Sequence, residues 1–252
     1  PYAKEIKGYI EPAFKEAKVN DERLKKAIEM IKRWDGNMDK GSQIPSIYSM
    51  FFNSLIKNIF EDEMGEQIYS EFIFMANIPY RVVQKLLAEN NSTWFDNVNT
   101  PQIETRDAII RQSFADAIAK LDALVGKNME EWQWGELHKV KFKHMFSGQS
   151  GLFDRFGDIG EFSIGGDGTT VFNTEYSFNK PFETRLGPSM RFVYDFAEPD
   201  KFNFILPTGQ SGHPLSPLYR NMTDMWMKGK MIPLNLKDEV IYTGKLLTLK
   251  QE

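Results

Sequence analysis

The chain has 252 residues, 41% of them hydrophobic and 26% charged, a composition typical of a folded globular protein. Its net charge of −4 comes from interspersed acidic and basic residues, which argues against nucleic acid or an anionic membrane as a partner. The lack of cysteine excludes disulfides and thiolate chemistry, and no apolar run reaches the roughly 20 residues of a membrane span.

Helical spacing dominates the first half. Residues 3–17 have a helical pattern, and the next helix is predicted to begin at a cap on Asn20 and to end at Gly36. A long apolar helix follows from about Pro45, and Gly65 is expected to interrupt it.

Three further helices are predicted before residue 136. Two of them span about 79–89 and 104–125, and a short one follows at "NMEEW", where Asn128 and Glu131 have capping-box spacing. The first half is therefore expected to be mainly helical.

Near residue 136 the apolar period changes to two. In "HKVKFKH" the residues from His138 to His144 alternate with lysines, which predicts a strand with histidines on one face. Residues 147–179 are glycine-rich and predict loops and short strands, and residues 190–206 predict a hairpin with "AEPD" as its turn. A last helix is predicted at about 218–228.

We therefore expect an α+β protein with a helical region at residues 1–135 and a β-rich region with a C-terminal helix at 136–252. No low-complexity linker separates them, which favours a change of layer within one body over two tethered domains.

The stretch "LPTGQSGHPLSP" places Ser211 two residues before His213, which raises the question of a nucleophile beside its base. A nucleophile elbow needs G-x-S-x-G, whereas here Gly212 follows the serine directly and Pro214 prevents an immediate helix. The segment predicts a tight turn in place of a catalytic pair.

Metal sites are also not favoured. His138 and His144 lie about 20 Å apart on an extended strand, whereas zinc ligands lie about 2 Å from the ion. The run Asp35 to Asp39 starts like a calcium loop, but Lys40 and Ser46 stand where that loop needs glycine and glutamate.

Two other signals are weak. "GGDG" at residues 165–168 resembles a phosphate-binding turn but opens no helix and has no following Lys-Ser/Thr. Pro1 could act as an amine base, but the helical pattern after it does not match the strand that opens tautomerases that work this way. The residues therefore predict no catalytic side chain, metal or cofactor, and leave the substrate-binding residues unknown.

Several longer motifs occur in an order that resembles the C-terminal part of the penicillin amidase family, between about residues 9 and 235. The motifs are "IKRWDGNMDKGSQIPSIYSMFFNSLIKNIFEDEMG", "TRDAIIRQSFADAIAKL", "WQWGELHKVKFKH", "GGDGTTV", "GPSMRFVYDF" and "LPTGQSGHPLSPLYRNMTDMWMKGKMIPL". This family of N-terminal-nucleophile hydrolases includes penicillin and homoserine-lactone acylases.

The resemblance implies a periplasmic or secreted precursor, of a type linked to antibiotic biosynthesis, that cuts itself into α and β subunits, although this chain has no signal-peptide pattern. The serine at the new β N-terminus attacks the acyl amide, and its own α-amino group serves as base. In the family these residues lie upstream of the "RWDG"-like motif, so the chain would be a catalytically inactive part that needs the α subunit and the first half of the β subunit as partners.

The resemblance also implies an αββα sandwich, to which the hairpin at 189–206 adds strands. The alternative is a free-standing scaffold or binding module that reuses this architecture. Such a module would have no companion chain that carries a nucleophile.

Overall fold

Five α-helices make up most of the first part of the chain in the computed structural model, which describes residues 2–75, 77–236 and 248. They are α1 (Tyr2–Phe14), α2 (Glu22–Arg33), α3 (Ile44–Phe72), α4 (Asn77–Ala88) and α5 (Arg106–Leu124). Two 3₁₀ helices follow α4 and α5, at Thr93–Phe95 and Met129–Glu131, and the short α6 (Trp134–Leu137) precedes the first strand. None of the described helices is long and apolar enough to cross a membrane.

The cap of α2 differs from the prediction. Asp21, not Asn20, is the N-cap, and its carboxylate accepts hydrogen bonds from the backbone N–H groups of Arg23 (2.8 Å) and Leu24 (3.2 Å). Both residue types cap well, so the sequence could not choose between these neighbours. Asn128, by contrast, caps its 3₁₀ helix as predicted.

Helix α3 is the centre of the helical core. Its first half is buried nearly all round, while Gly65 adopts φ 69° and ψ 163° and breaks the helix, which confirms the predicted interruption. Glycine is favoured there because a side chain is strained at positive φ. Helix α5 packs along α3, with Phe51 and Phe114 in ring contact at 5.5 Å.

A four-stranded sheet follows in the order β2-β1-β4-β3. Its strands are β1 (Lys139–Phe142), β2 (Ile159–Ser163), β3 (Glu175–Ser177) and β4 (Lys180–Leu186). Neighbours pair antiparallel except β1 and β4, which are parallel with Lys139 opposite Glu183. The inward face carries Tyr176 and Phe182, which are buried in the same core as the helices.

Strand β1 is shorter than predicted. It covers residues 139–142, with a register shift between Val140 and Phe142, so His138 and His144 lie outside its two ends. The alternation in "HKVKFKH" predicted the strand but not its limits.

A helix, α7 (Gly151–Gly157), was not predicted within residues 147–179, although Ser150 caps it.

The chain divides into two compact units, residues 1–188 and 189–252. The second unit contains the predicted hairpin, formed by β5 (Arg191–Tyr194) and β6 (Lys201–Ile205), and a third strand, β7 (Ile232–Asn235), that the sequence reading did not anticipate. The last helix, α8, is limited to Thr223–Met227 where 218–228 was predicted, since residues 211–222 form turns in place of helix.

Helix α5 allows a direct test of the core. Leu121 is fully buried and Leu124 is 58% exposed on the same helix. Leu121→Ala is expected to lower the free energy of unfolding by about 2–5 kcal/mol because it leaves a cavity. Leu124→Ala is the matched control and should stay within about 0.5 kcal/mol. Urea unfolding followed by circular dichroism measures both, and equal midpoints would contradict the packing of α5.

Candidate functional site

The first candidate pair, Ser211 and His213, forms a turn. The hydroxyl of Ser211 accepts a hydrogen bond from the backbone N–H of His213 at 3.1 Å, and the His213 Nδ1 accepts one from the N–H of Leu215 at 3.2 Å. Because Nδ1 is an acceptor here, the neutral ring carries its proton on Nε2. The geometry is thus that of two successive side-chain turns, as predicted, and not that of a base aimed at a hydroxyl.

The loop around this pair is closed at its base. The N–H of Met222 donates to the carbonyl of Thr208 at 2.9 Å, and the N–H of Ser211 donates to the carbonyl of Leu218 at 3.2 Å. Gly209 permits this closure, since a Cβ there would lie 2.1 Å from the Leu218 oxygen. The first glycine of the "GQSG" stretch is therefore needed for close backbone approach.

The "GGDG" segment is a buried structural loop. Asp167 is 1% exposed, and its Oδ1 accepts hydrogen bonds from the N–H of Thr169 at 2.7 Å and the hydroxyl of Thr169 at 2.9 Å. Burial raises the pKa of the Asp167 carboxyl, while hydrogen bonds from Thr169 and Thr170 act in the opposite direction. The carboxylate thus organises its own loop.

This loop belongs to a place where three of the quoted motifs meet, which we call the motif junction. We define it by the segments 38–42, 134–138 and 165–174. The N–H of Gly166 donates to the carbonyl of Met38 at 2.9 Å, and the indole of Trp134 donates to the carbonyl of Gly166 at 3.0 Å. The N–H groups of Trp134 and Gly135 donate to the carbonyls of Ser42 and Lys40 at 2.9 and 2.7 Å.

His138 lies in the same junction and is fully buried. Its Nδ1 is 2.8 Å from the carbonyl oxygen of Phe182, its Nε2 is 3.0 Å from the hydroxyl of Thr174, and its ring stacks on Trp134 at 4.5 Å. A carbonyl only accepts, so Nδ1 carries the proton of the neutral ring; the one hydroxyl proton of Thr174 has two acceptors within reach, Nε2 and the carbonyl of Gly165 at 2.9 Å. Burial lowers the pKa of His138 to about 4, so the ring is neutral at pH 7.

His144 is placed in a different environment. Its ring contacts Phe153 at 5.0 Å, and its backbone N–H donates to Asp158, which also forms an ion pair with Lys141 at 2.9 Å. The structure therefore does not bring His138 and His144 together. Over residues 2–75, 77–236 and 248, no group of three or more histidine or acidic residues has a geometry that could hold a metal ion.

The calcium-like run also forms turns. Asp35 accepts from the N–H of Asn37 at 2.8 Å, and Asp39 accepts from the N–H of Gly41 at 2.7 Å. These carboxylates are occupied by their own backbone, which suits a loop that leads into α3. Pro1 lies outside the described residues.

A surface hollow of about 940 Å³ lies between α1 and α2. Among its lining side chains Lys32 pairs with Glu29 at 3.0 Å and with Glu11 at 3.6 Å. A second groove of about 430 Å³ is lined by the lysines of β1, together with Glu161 and Glu183. The hydroxyl of Ser177, which also lines the second groove, donates to Oδ1 of Asn179 at 3.3 Å and not to a base.

Sequence comparison decides the family. The penicillin amidase family model matches residues 1–243. The chain belongs to the penicillin amidase family.

Individual relatives agree with this penicillin amidase assignment. Acyl-homoserine lactone acylase QuiP from Pseudomonas fluorescens (strain Pf0-1) is 34% identical over 221 residues, which cover 86% of this chain and 26% of that protein. QuiP from Pseudomonas aeruginosa is 31% identical over 247 residues, covering 90% of this chain and 29% of that protein. The penicillin acylase 2 proenzyme from Pseudomonas sp. (strain SE83) is 26% identical over 80% of this chain and 25% of its own length.

The chain thus spans between a quarter and a third of the length of these relatives. It is a penicillin amidase homologue with an α+β fold. Individual residue types in the sequence did not predict the motif junction. The available sign of it was that three of the quoted family motifs contain its segments: "DGNMDKGSQ", "WQWGELHK" and "GGDGTT".

The neutral state of His138 predicts a pH-dependent stability. The folded-state pKa of about 4 lies below the ordinary value of 6.5, so the unfolded chain binds the proton first as pH falls. Stability is fully present above about pH 6.5 and declines toward pH 4, by about 3 kcal/mol in all. His138→Gln should remove this component from urea midpoints measured at several pH values.

His213→Gln serves as the matched control, because it makes the same change at an exposed position. A His138→Gln profile parallel to that of the parent between pH 6.5 and 4 would refute a buried neutral imidazole.

Gly166 tests the close approach within the junction. It has φ +84°, and a Cβ would lie 2.2 Å from the carbonyl oxygen of Phe172, whereas Gly148 has φ +90° and nothing within 4 Å. Gly148→Ala should cost about 1–2 kcal/mol through backbone strain alone. Gly166→Ala should cost about 1–3 kcal/mol more through overpacking. Chemical denaturation of both variants measures the difference, and equal losses would show that the loop does not pack as described.

Proposed function

We propose that residues 1–252 are the C-terminal, structural portion of a larger penicillin amidase-type hydrolase that cleaves N-acyl amide bonds. The observation that carries the proposal is the family match over residues 1–243 in a chain that spans about a quarter of the length of its relatives. The names of those relatives, acyl-homoserine lactone acylase and penicillin acylase, give the reaction class.

The geometry of the candidate residues supports a structural role. The hydroxyl of Ser211 and the ring of His213 each close a backbone turn, and His138 and Asp167 hold the motif junction. These polar side chains already have hydrogen-bond partners within the chain. The motifs that contain them are therefore explained by structure, without a catalytic role.

In the proposed reaction the nucleophile comes from another part of the precursor. The hydroxyl of an N-terminal serine attacks the acyl carbonyl, its own α-amino group takes the proton, and the amine product leaves protonated. Water then hydrolyses the serine ester and releases the acid. The two units of this chain would belong to one larger β subunit, in a periplasmic or secreted enzyme.

The isolated chain provides the first test. Purified residues 1–252 are expected to hydrolyse neither a phenylacetyl amide nor an N-acyl-homoserine lactone above the buffer rate, whereas the complete precursor should hydrolyse one of them. Hydrolysis by the isolated chain would refute the structural role. A complete reading frame without a nucleophile-bearing segment would favour a free-standing scaffold.

Ser211 provides the matched control in the complete enzyme. Ser211→Ala should change kcat/KM by less than about tenfold, since a lost turn hydrogen bond contributes about 1 kcal/mol. Replacing the N-terminal serine should reduce the rate by about 10⁶-fold. A comparable loss in Ser211→Ala would make Ser211 a catalytic residue and contradict the proposal.

A further inference from the structure

The first two turns of α3 bury three hydroxyl groups, those of Ser46, Tyr48 and Ser49. The three residues are 0%, 2% and 1% exposed. None of the three hydroxyls has a hydrogen-bond partner in the part of the chain that the structure describes. A buried hydroxyl that lacks a partner destabilises the folded state, and native proteins contain few of them. Three within four residues therefore point to a partner from outside the chain.

The two serines share one face of the helix. Ser46 and Ser49 lie three residues apart, a spacing that places side chains next to each other on a helix surface. Burial raises the pKa of Tyr176, and the hydroxyl of Ser49 acts in the opposite direction. Ser49 and Tyr176 are therefore neighbours, although no direct hydrogen bond satisfies the Ser49 hydroxyl. This face of α3 thus points toward β3, the strand that carries Tyr176.

The hydroxyl of Tyr48 reaches the same region. Burial raises the pKa of Tyr48, and three neighbours raise it further: Tyr2, Asp167 and Tyr176. Burial also raises the pKa of Tyr80, and the same neighbours add to that rise. These side chains therefore surround one polar region inside the aromatic core, next to the "GGDG" loop of the motif junction.

We propose that this region is an internal water site, in which one or more water molecules bind to the hydroxyls of Tyr48 and Ser49, with Ser46 extending the site along α3. A water molecule donates two hydrogen bonds and accepts two, so it can join hydroxyls that do not bond to one another directly. Buried waters typically make about three hydrogen bonds to otherwise unsatisfied polar groups. The bound water connects α3 to β3 beside the motif junction.

The chemistry of the surrounding groups favours water over an ion. Burial raises the pKa of Tyr48 and Tyr176, so both hydroxyls keep their protons at pH 7 and stay neutral. The Asp167 carboxylate already accepts two hydrogen bonds from Thr169, at 2.7 and 2.9 Å, and burial works against its negative charge. Because a buried ion needs compensating charge, a neutral ligand that both donates and accepts fits this region better.

The sign of a stability change distinguishes a hydroxyl bound to water from one without a partner. Tyr48→Phe removes the hydroxyl and keeps the ring. With bound water, the variant should raise the unfolding equilibrium constant about fivefold, because one net hydrogen bond is lost. Without water, it should lower that constant, because an unsatisfied buried group disappears. Urea unfolding of residues 1–252, followed by circular dichroism, measures the constant, and an unchanged or lowered value would overturn the inference.

Ser49→Ala and Ser113→Ala form a matched pair of buried serines within helices. The hydroxyl of Ser113 donates to the carbonyl of Ile109 at 2.7 Å, so Ser113→Ala shows the effect of losing a direct hydrogen bond. The two variants gain the same helix propensity, so this contribution cancels in the comparison. Both should raise the unfolding constant. A rise in Ser113→Ala with a fall in Ser49→Ala would show that Ser49 has no water partner and would contradict the site.

A crystal structure of the chain, at a resolution that shows ordered water, gives a test that needs no variant. Water within hydrogen-bond distance of the Tyr48 Oη and the Ser49 Oγ would support the inference. A direct hydrogen bond from each of these atoms to another group of the chain, with no water between them, would overturn it even if both variants lose stability.

Discussion

The first unit depends on one constraint: backbone hydrogen bonds at the motif junction hold the four-stranded sheet against the helical layer. Gly166 donates to the Met38 carbonyl, and Gly135 donates to the Lys40 carbonyl at 2.7 Å. Buried backbone groups that lose their partners cost free energy, so these loops hold one another in place. Since the loops lead directly into α3 and β1, their position fixes where the helices meet the sheet.

A polar cluster inside this junction gives it a single conformation. The ring of His138 lies between the Phe182 carbonyl and the Thr174 hydroxyl, and the indole of Trp134 donates to the Gly166 carbonyl. Each directional bond excludes alternative packings that apolar contacts alone would tolerate. His138, considered above as a metal ligand, and the "GGDG" loop, considered as a phosphate-binding turn, therefore help to specify the fold. In the second unit, one face of the sheet formed by β5, β6 and β7 contacts α8, and the other face is apolar.

Family membership and chemical role are separate questions in this protein. The motifs that identify a penicillin amidase lie in segments whose polar groups bond to their own backbone, as Ser211 and Asp167 do. A motif can therefore identify a family through the geometry of a turn. In the proposed enzyme, this chain has a structural role, and the reacting groups belong to the rest of the precursor.

The sequence by itself determined the α+β class, the helical first half, the break at Gly65 and the hairpin of β5 and β6, because apolar periodicity and glycine conformations are local properties. It also determined the family through motif order. Only the tertiary structure decided that Asp21 caps α2, that β1 stops short of both histidines, and that β7 completes the second sheet. The limits of β1 and the pairing of β7 depend on partners distant in sequence, because a strand ends where its neighbour's hydrogen bonds end, and the neutral state of His138 likewise depends on the residues that bury it.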